Sequence, residues 1–295
     1  MEQYVSGTEW VTYTYDNLNR MLTMKDNGGT TTNTYTVRGE IASQVQVGGY
    51  VLTYGYDNVG NRTLLIDPDG GRATYTYDAN NRVSTTKNPD NRVLTYQYDA
   101  GNYLTTLTSG LGNVRKYQYD SVGNKTTQID SNGSTVVTQV DTYDAVGNRT
   151  KRVENGVTTT WTYDASYQML TQQRVNEYAT FTYDNSGNVN SKWEQGSNPI
   201  TFTYNFRNQV VNSNQGANRG TYVYANNGYL NWEQTGADRT TYTYSQTNRM
   251  TGVLYSDGTR STYTYSGNGK RRTAQESGGV LTTFIWDGED YLGEY

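Results

Sequence analysis

Rings and hydroxyls alternate along this chain. In Thr74-Tyr75-Thr76-Tyr77 the aromatic positions fall two apart with a threonine between them, and an extended strand sends alternate side chains to opposite faces. The pattern predicts a strand with rings on one face and hydroxyls on the other. The intervening residue is threonine at Thr14, Thr36, Thr76, Thr142, Thr162, Thr182, Thr203, Thr243 and Thr264. A polar turn follows each such strand. In Asp57-Asn58-Val59-Gly60-Asn61-Arg62 the carboxylate is placed to accept backbone N–H groups two residues on, and Gly60 and Asn61 tolerate positive φ. Asp120 to Lys125 and Asp144 to Arg149 repeat this six-residue form, whereas Asp16 to Arg20 and Asp78 to Arg82 read as one residue shorter, a difference that a β-bulge absorbs. A weaker second strand comes next, as in residues 63–66, 82–86 and 188–193. It ends in a turn such as Asp67-Pro68-Asp69-Gly70, Asn132-Gly133, Asn155-Gly156 or Asp257-Gly258.

The unit recurs through the whole chain. With Asp57 as marker, the equivalent positions are Asp16, Arg38, Asp57, Asp78, Asp99, Asp120, Asp144, Asp164, Asp184, Asn205, Ala225, Ser245, Ser266 and Asp287, with steps clustering at 20 to 21 residues and the widest from Asp120 to Asp144. A fixed period of this length is the mark of a repeat array. The expected fold is therefore all-β: one array over residues 1–295, about 14 units, forming a continuous antiparallel meander that coils into a spiral shell or wide barrel. Cross-strand pairs worth roughly 0.2 to 1 kcal/mol each, summed over the array, replace a large aliphatic core. Neither end reads as a capping unit, so the expectation is part of a longer protein, or open edges that pair with further copies of the chain.

Composition narrows the chemistry. Hydrophobic residues make up only 33% of the chain, yet there are 30 tyrosines, so Tyr supplies the apolar area. There is no Cys and no His, which excludes disulfides, thiolate nucleophiles, histidine bases and Cys/His zinc sites within this sequence. The net charge of −4 gives no nucleic-acid footprint. The basic run Lys270-Arg271-Arg272 reads as a solvated strand start. No apolar run approaches the ~20 residues of a spanning helix, and Met1-Glu2-Gln3-Tyr4 does not open a signal peptide.

The pattern Tyr-x-Tyr-Asp-x-x-Gly-Asn-Arg, clearest at residues 54–62 and 117–125 and partial at 143–149, resembles the YD repeats of Rhs proteins, of the B and C subunits of insecticidal toxin complexes, and of teneurins. The residues that carry the resemblance are Tyr54, Tyr56, Asp57, Gly60, Asn61 and Arg62; Tyr75, Tyr77 and Asp78; Tyr96, Tyr98 and Asp99; Tyr117, Tyr119, Asp120, Gly123 and Asn124; and Tyr143, Asp144, Gly147 and Asn148. Asn205, Ala225, Ser245 and Ser266 depart from it by replacing the Asp. The resemblance implies a spiralling β-shell that encloses a C-terminal toxic domain in the bacterial proteins, or a barrel in an adhesive ectodomain. Residues 284–295 resemble the approach to the bacterial core that carries an autoproteolytic aspartyl site. That core is absent from the sequence, so no cleavage is assigned.

Turn formation explains the recurrent aspartates better than catalysis does. Paired carboxylates such as Asp57 and Asp78 are a glycosidase-like set, but the same residue type recurs at so many equivalent positions that a turn-stabilising role explains it better. Asp67-Pro68-Asp69-Gly70 and Asp130-Ser131-Asn132-Gly133 lack the distal Glu of a calcium loop, and no metal or cofactor is expected. The sequons at Asn61, Asn124, Asn132 and Asn148 arise incidentally in a chain this rich in Asn and Thr. Trp193 and Trp232, each in a Trp-Glu-Gln segment, are the candidate glycan contacts. The expected function is a non-enzymatic structural β-shell that encloses or displays a cargo such as a C-terminal toxin, in a secreted or cell-surface setting. The alternative is an extracellular fibre or adhesin built by end-to-end strand pairing, with glycan contacts.

Overall fold

The computed structural model describes the backbone of residues 2–6 and 9–295, with side chains from Trp10 onward. Met1, the first residue of the segment read as no signal peptide, lies outside the described residues. Among them are 29 β-strands, from Glu2–Ser6 to Asp290–Glu294, and no helix. Every described ladder is antiparallel and joins strands adjacent in the chain, as Val157–Tyr163 pairs with Met169–Arg174 and that strand with Glu177–Tyr183. The first strand pairs with the second and the last with the one before it. Among the described residues no ladder joins the first strand to the last, so a closed hydrogen-bonded barrel is not formed.

Among the described ladders a bulge recurs at one fixed place in the unit. Tyr163 faces Met169 while Thr162 faces Thr171, which leaves Leu170 as the extra residue. The same shift falls at Tyr15, Tyr35, Tyr56, Tyr98, Tyr119, Tyr143, Tyr183, Tyr204, Tyr244 and Tyr265. A bulge adds local twist and re-aims the neighbouring side chain. Here it sets the second tyrosine of each unit against the start of the following strand.

The turns before the bulge are of one length. Asp16 N–H donates to the Arg20 carbonyl, and Asp57 N–H to that of Asn61. Arg20 therefore occupies the place of Asn61, and the turn expected to be one residue shorter is not. The positive φ falls on the fourth residue only, 60° at Asn19 and 95° at Gly60, the left-handed region that Gly and Asn tolerate; Asn61 does not share it. One turn opens at a residue other than the one expected. Thr36, not Arg38, opens the second turn, since Thr36 N–H donates to the Glu40 carbonyl. Asp287 opens no such turn, because it faces Asp290 across a two-residue hairpin.

The chain divides into two compact units, residues 1–74 with 222–295 and residues 75–221. In the first, Met24, Leu52, Leu65, Val253, Ala274 and Ile285 are buried. In the second no hydrophobic side chain is buried to that degree among the described residues, and Asp141 is the buried charged group. Asp141 stands where other units place the first ring. It receives two hydrogen bonds from Arg152, at 2.8 and 2.9 Å. The widest repeat step is taken up here by longer strands, Lys125–Ser131 and Val136–Tyr143.

The turns yield a prediction. Asn205 accepts from Arg207 N–H and Gln209 N–H as the aspartates do, so Asp144→Asn should leave the thermal unfolding midpoint nearly unchanged. Asp144→Ala removes the acceptor of Val146 N–H and Asn148 N–H and should lower it clearly. Equal effects from the two variants would contradict this role.

Candidate functional site: a tyrosine ladder and a polar seam

The bulge aims the second tyrosine of each unit at the preceding unit. Nine hydroxyls donate to backbone carbonyls at 2.7 to 3.0 Å: Tyr35 to Met21, Tyr56 to Ile41, Tyr98 to Val83, Tyr119 to Leu104, Tyr143 to Lys125, Tyr163 to Arg149, Tyr183 to Met169, Tyr204 to Val189 and Tyr265 to Met250. The acceptor is the residue that faces the bulged tyrosine of the preceding unit, as Met169 faces Tyr163. Trp286 continues the series, its indole N–H donating to the Arg271 carbonyl at 2.7 Å. These are rungs: the polar end of each ring is satisfied by a backbone carbonyl of the neighbouring unit.

On the opposite face the intervening hydroxyls pair across strands, Thr14 with Thr23, Thr34 with Ser43, Thr162 with Thr171, Thr182 with Ser191 and Thr264 with Thr273, at 2.6 to 2.7 Å. The two faces read in the sequence are thus both present, one of rings and one of hydroxyls.

The structure places each motif residue in this scheme. Tyr54, Tyr56, Tyr75, Tyr77, Tyr96, Tyr98, Tyr117, Tyr119 and Tyr143 are half-buried rings. Asp57, Asp78, Asp99, Asp120 and Asp144 each accept backbone N–H groups of their own turn. Gly60, Gly123 and Gly147 take φ of 95°, 92° and 91°. The amides of Asn61, Asn124 and Asn148, three of the sequon asparagines, donate to Asp57, Asp120 and Asp144. Asp67 likewise takes up Asp69 N–H and Gly71 N–H. Trp193 and Trp232 both sit half-buried opposite threonines, Thr180 and Thr241. The Trp193 indole N–H is held by the Ser197 carbonyl, and the Arg239 guanidinium lies 4.2 Å from the Trp232 ring centre.

What the sequence did not foretell is a seam within the first unit, where early strands meet late ones. Asp26 is 7% exposed and accepts from Arg272 at 2.8 and 2.6 Å, from Gly267 N–H at 2.7 Å and from Gly28 N–H at 2.8 Å. Arg62 pairs with the buried Asp287, the Gln46 amide donates to the Trp286 carbonyl, and Tyr50 lies 5.1 Å from Tyr295. Two glycines permit the approach: a Cβ on Gly28 would strike the Arg272 guanidinium, and one on Gly267 would strike Val11. The basic run is therefore no solvated strand start. Lys270 pairs with Glu289, Arg271 lies over Tyr263 and the half-buried Arg272 is paired with Asp26 in the seam.

Electrostatics follow the hydrogen bonds. Backbone N–H donation from Arg20 and Arg82 holds Asp16 and Asp78 below the ordinary carboxylate range, and the Asn124, Asn148 and Asn188 amides do the same for Asp120, Asp144 and Asp184. Desolvation raises the phenols of Tyr98, Tyr119, Tyr163, Tyr183 and Tyr204 above their usual value.

Residues 65–93 and 77–114 match the family described as RHS Repeat. Over those residues the chain is similar to Rhs repeats. The fold agrees: two TcdB2–TccC3 structures, one with Cdc42 and one with TEV in its name, cover 95% of this chain at 16% identity with a TM-score of 0.68. A Tc holotoxin pore of Photorhabdus luminescens covers 95% at 14% identity with a TM-score of 0.56. The chain spans 18% of the length of the first two and 21% of the third. No curated protein sequence matches.

Both shifts predict pH limits. Depressed carboxylates contribute stability that is present above their unfolded value of 3.8 and is lost as pH falls below it. Raised phenols contribute stability that is present below 10.0 and is lost as pH climbs beyond it. Thermal midpoints followed by circular dichroism should therefore be flat between these limits and fall outside both; midpoints unchanged at either extreme would contradict the assignment.

Proposed function

We propose that this chain is a non-enzymatic wall segment of an Rhs-type β-shell that encloses or displays a cargo such as a C-terminal toxin. The observation that carries the reading is the toxin-complex fold extending over 95% of the chain, together with a ladder that recurs in every part of it. The aspartates are engaged in their own turns and the tyrosines in rungs, so the repeated residues serve the wall. Their function is mechanical: to hold short strands in one register over a long span, which a repeat array does by nearest-neighbour contacts. Because the chain spans about a fifth of the matching structures, the proposal takes it as part of a larger shell, in a secreted or cell-surface setting. The cargo is then polypeptide that follows these repeats.

Limited proteolysis of the full-length polypeptide carrying these repeats tests the reading. The segment downstream should resist digestion while the repeats are folded and be cut rapidly once they are unfolded. Digestion at the same rate in both states would overturn enclosure.

A further inference from the structure

The seam leaves a cleft of about 480 Å³ beside the Asp26–Arg272 pair, lined by Trp10, Asn27, Arg249, Thr251, Thr264 and Thr273 among others. That volume lies in the range of small-molecule sites. Its chemistry differs from the rest of the wall. Alternation along Glu9–Tyr15 puts Trp10 on the same face as Thr14, which is the hydroxyl face, since Thr14 meets Thr23. Thr264 and Thr273 are paired on the hydroxyl face of their own strands, and Thr251 meets Thr243 there at 3.2 Å. An indole and a set of hydroxyls therefore border one cavity, with Asn27 also in its lining.

The charge is one-sided. Asp26, the acidic residue of the lining, has both carboxylate oxygens committed to Arg272 and to the N–H groups of Gly28 and Gly267. Arg249 donates to the Ser266 carbonyl at 3.0 Å and lies over the Tyr265 ring. Among the described residues it has no carboxylate partner. Lys25 stands 5.9 Å from the Trp10 ring centre. Two cations thus flank a cleft whose one acid is already neutralised.

We propose that this cleft binds an acidic saccharide, a hexuronic acid unit, with its apolar ring face on Trp10, its hydroxyls on the threonines and its carboxylate toward Arg249. Indole supplies a flat apolar surface with a polar edge, threonine hydroxyls both donate and accept, and guanidinium matches a carboxylate in charge and shape. A neutral sugar forgoes the cation, and a flat aromatic acid forgoes the hydroxyls. The ligand touches both sides of the seam, so binding also holds early and late strands together. The proposal does not depend on the shell reading.

Titration of the full chain with trigalacturonate, followed by indole fluorescence and by the thermal midpoint, tests it, with maltotriose and benzoate as comparisons. Trigalacturonate should bind at least tenfold more tightly than either and raise the midpoint. Arg249→Gln should abolish the preference over maltotriose, and Arg249→Lys should retain part of it. Trp10→Phe should weaken binding severalfold while the unliganded midpoint stays within a few degrees. Absence of binding, equal binding of the three probes, or trigalacturonate affinity unchanged in both Trp10→Phe and Arg249→Gln would overturn the assignment.

Discussion

The structure depends on a hydrogen bond from a tyrosine hydroxyl to a carbonyl one unit back. Antiparallel strands of five to eight residues are individually weak, and a wall with few buried aliphatic side chains gains little from a core. The rung answers both weaknesses. It buries most of a ring against the neighbouring unit and satisfies the polar end there, so each unit is tied to the one before it at a side-chain position as well as along its ladder. The bulge makes this possible. By placing one extra residue after the turn that the aspartate opens, it shifts the register at the tyrosine, whose hydroxyl meets the carbonyl of the residue facing the tyrosine one unit back, as Tyr183 meets Met169.

The turns and rungs share one logic. A carboxylate or amide at the first turn position gathers the N–H groups that the reversal leaves without partners, as Asp57 does for Val59 and Asn61. The length of the turn is thereby fixed, and a fixed length fixes which residue falls at the bulge. Ser245 performs part of the same task through its hydroxyl, receiving Thr247 N–H and Arg249 N–H. This explains why the aspartate is exchangeable in the later units while the tyrosine before it persists at Tyr204, Tyr224, Tyr244 and Tyr265.

Local features were legible in the sequence and distant ones were not. Period-two alternation identified the strands, and the recurrence of Asp before Gly or Asn identified the turns, because both arise within a few residues. The misplacement of one marker at Arg38 has a local cause: Tyr35-Thr36 imitates the start of the motif, whereas the ring-bearing strand ends at Tyr35. Asp287 has the motif's residues around it but serves as a buried ion-pair partner of Arg62, a contact no local pattern contains. Arg272 and Asp26 are 246 residues apart. The available signals were the glycines at Gly28 and Gly267, whose meaning is a close approach visible only once the two strands are brought together. The cleft beside them was equally hidden, and its tryptophan is Trp10, while Trp193 and Trp232 lie elsewhere on hydroxyl-face positions.

Amide hydrogen exchange on Tyr183→Phe, read beside its unfolding free energy, bears most directly on the rung. The substitution removes one oxygen, leaves the ring, and frees the Met169 carbonyl. The account predicts faster exchange confined to the strands Met169–Arg174 and Glu177–Tyr183, with a loss of about 0.5 to 1.5 kcal/mol. Unchanged exchange with unchanged stability, or exchange that quickens uniformly through the chain, would contradict it.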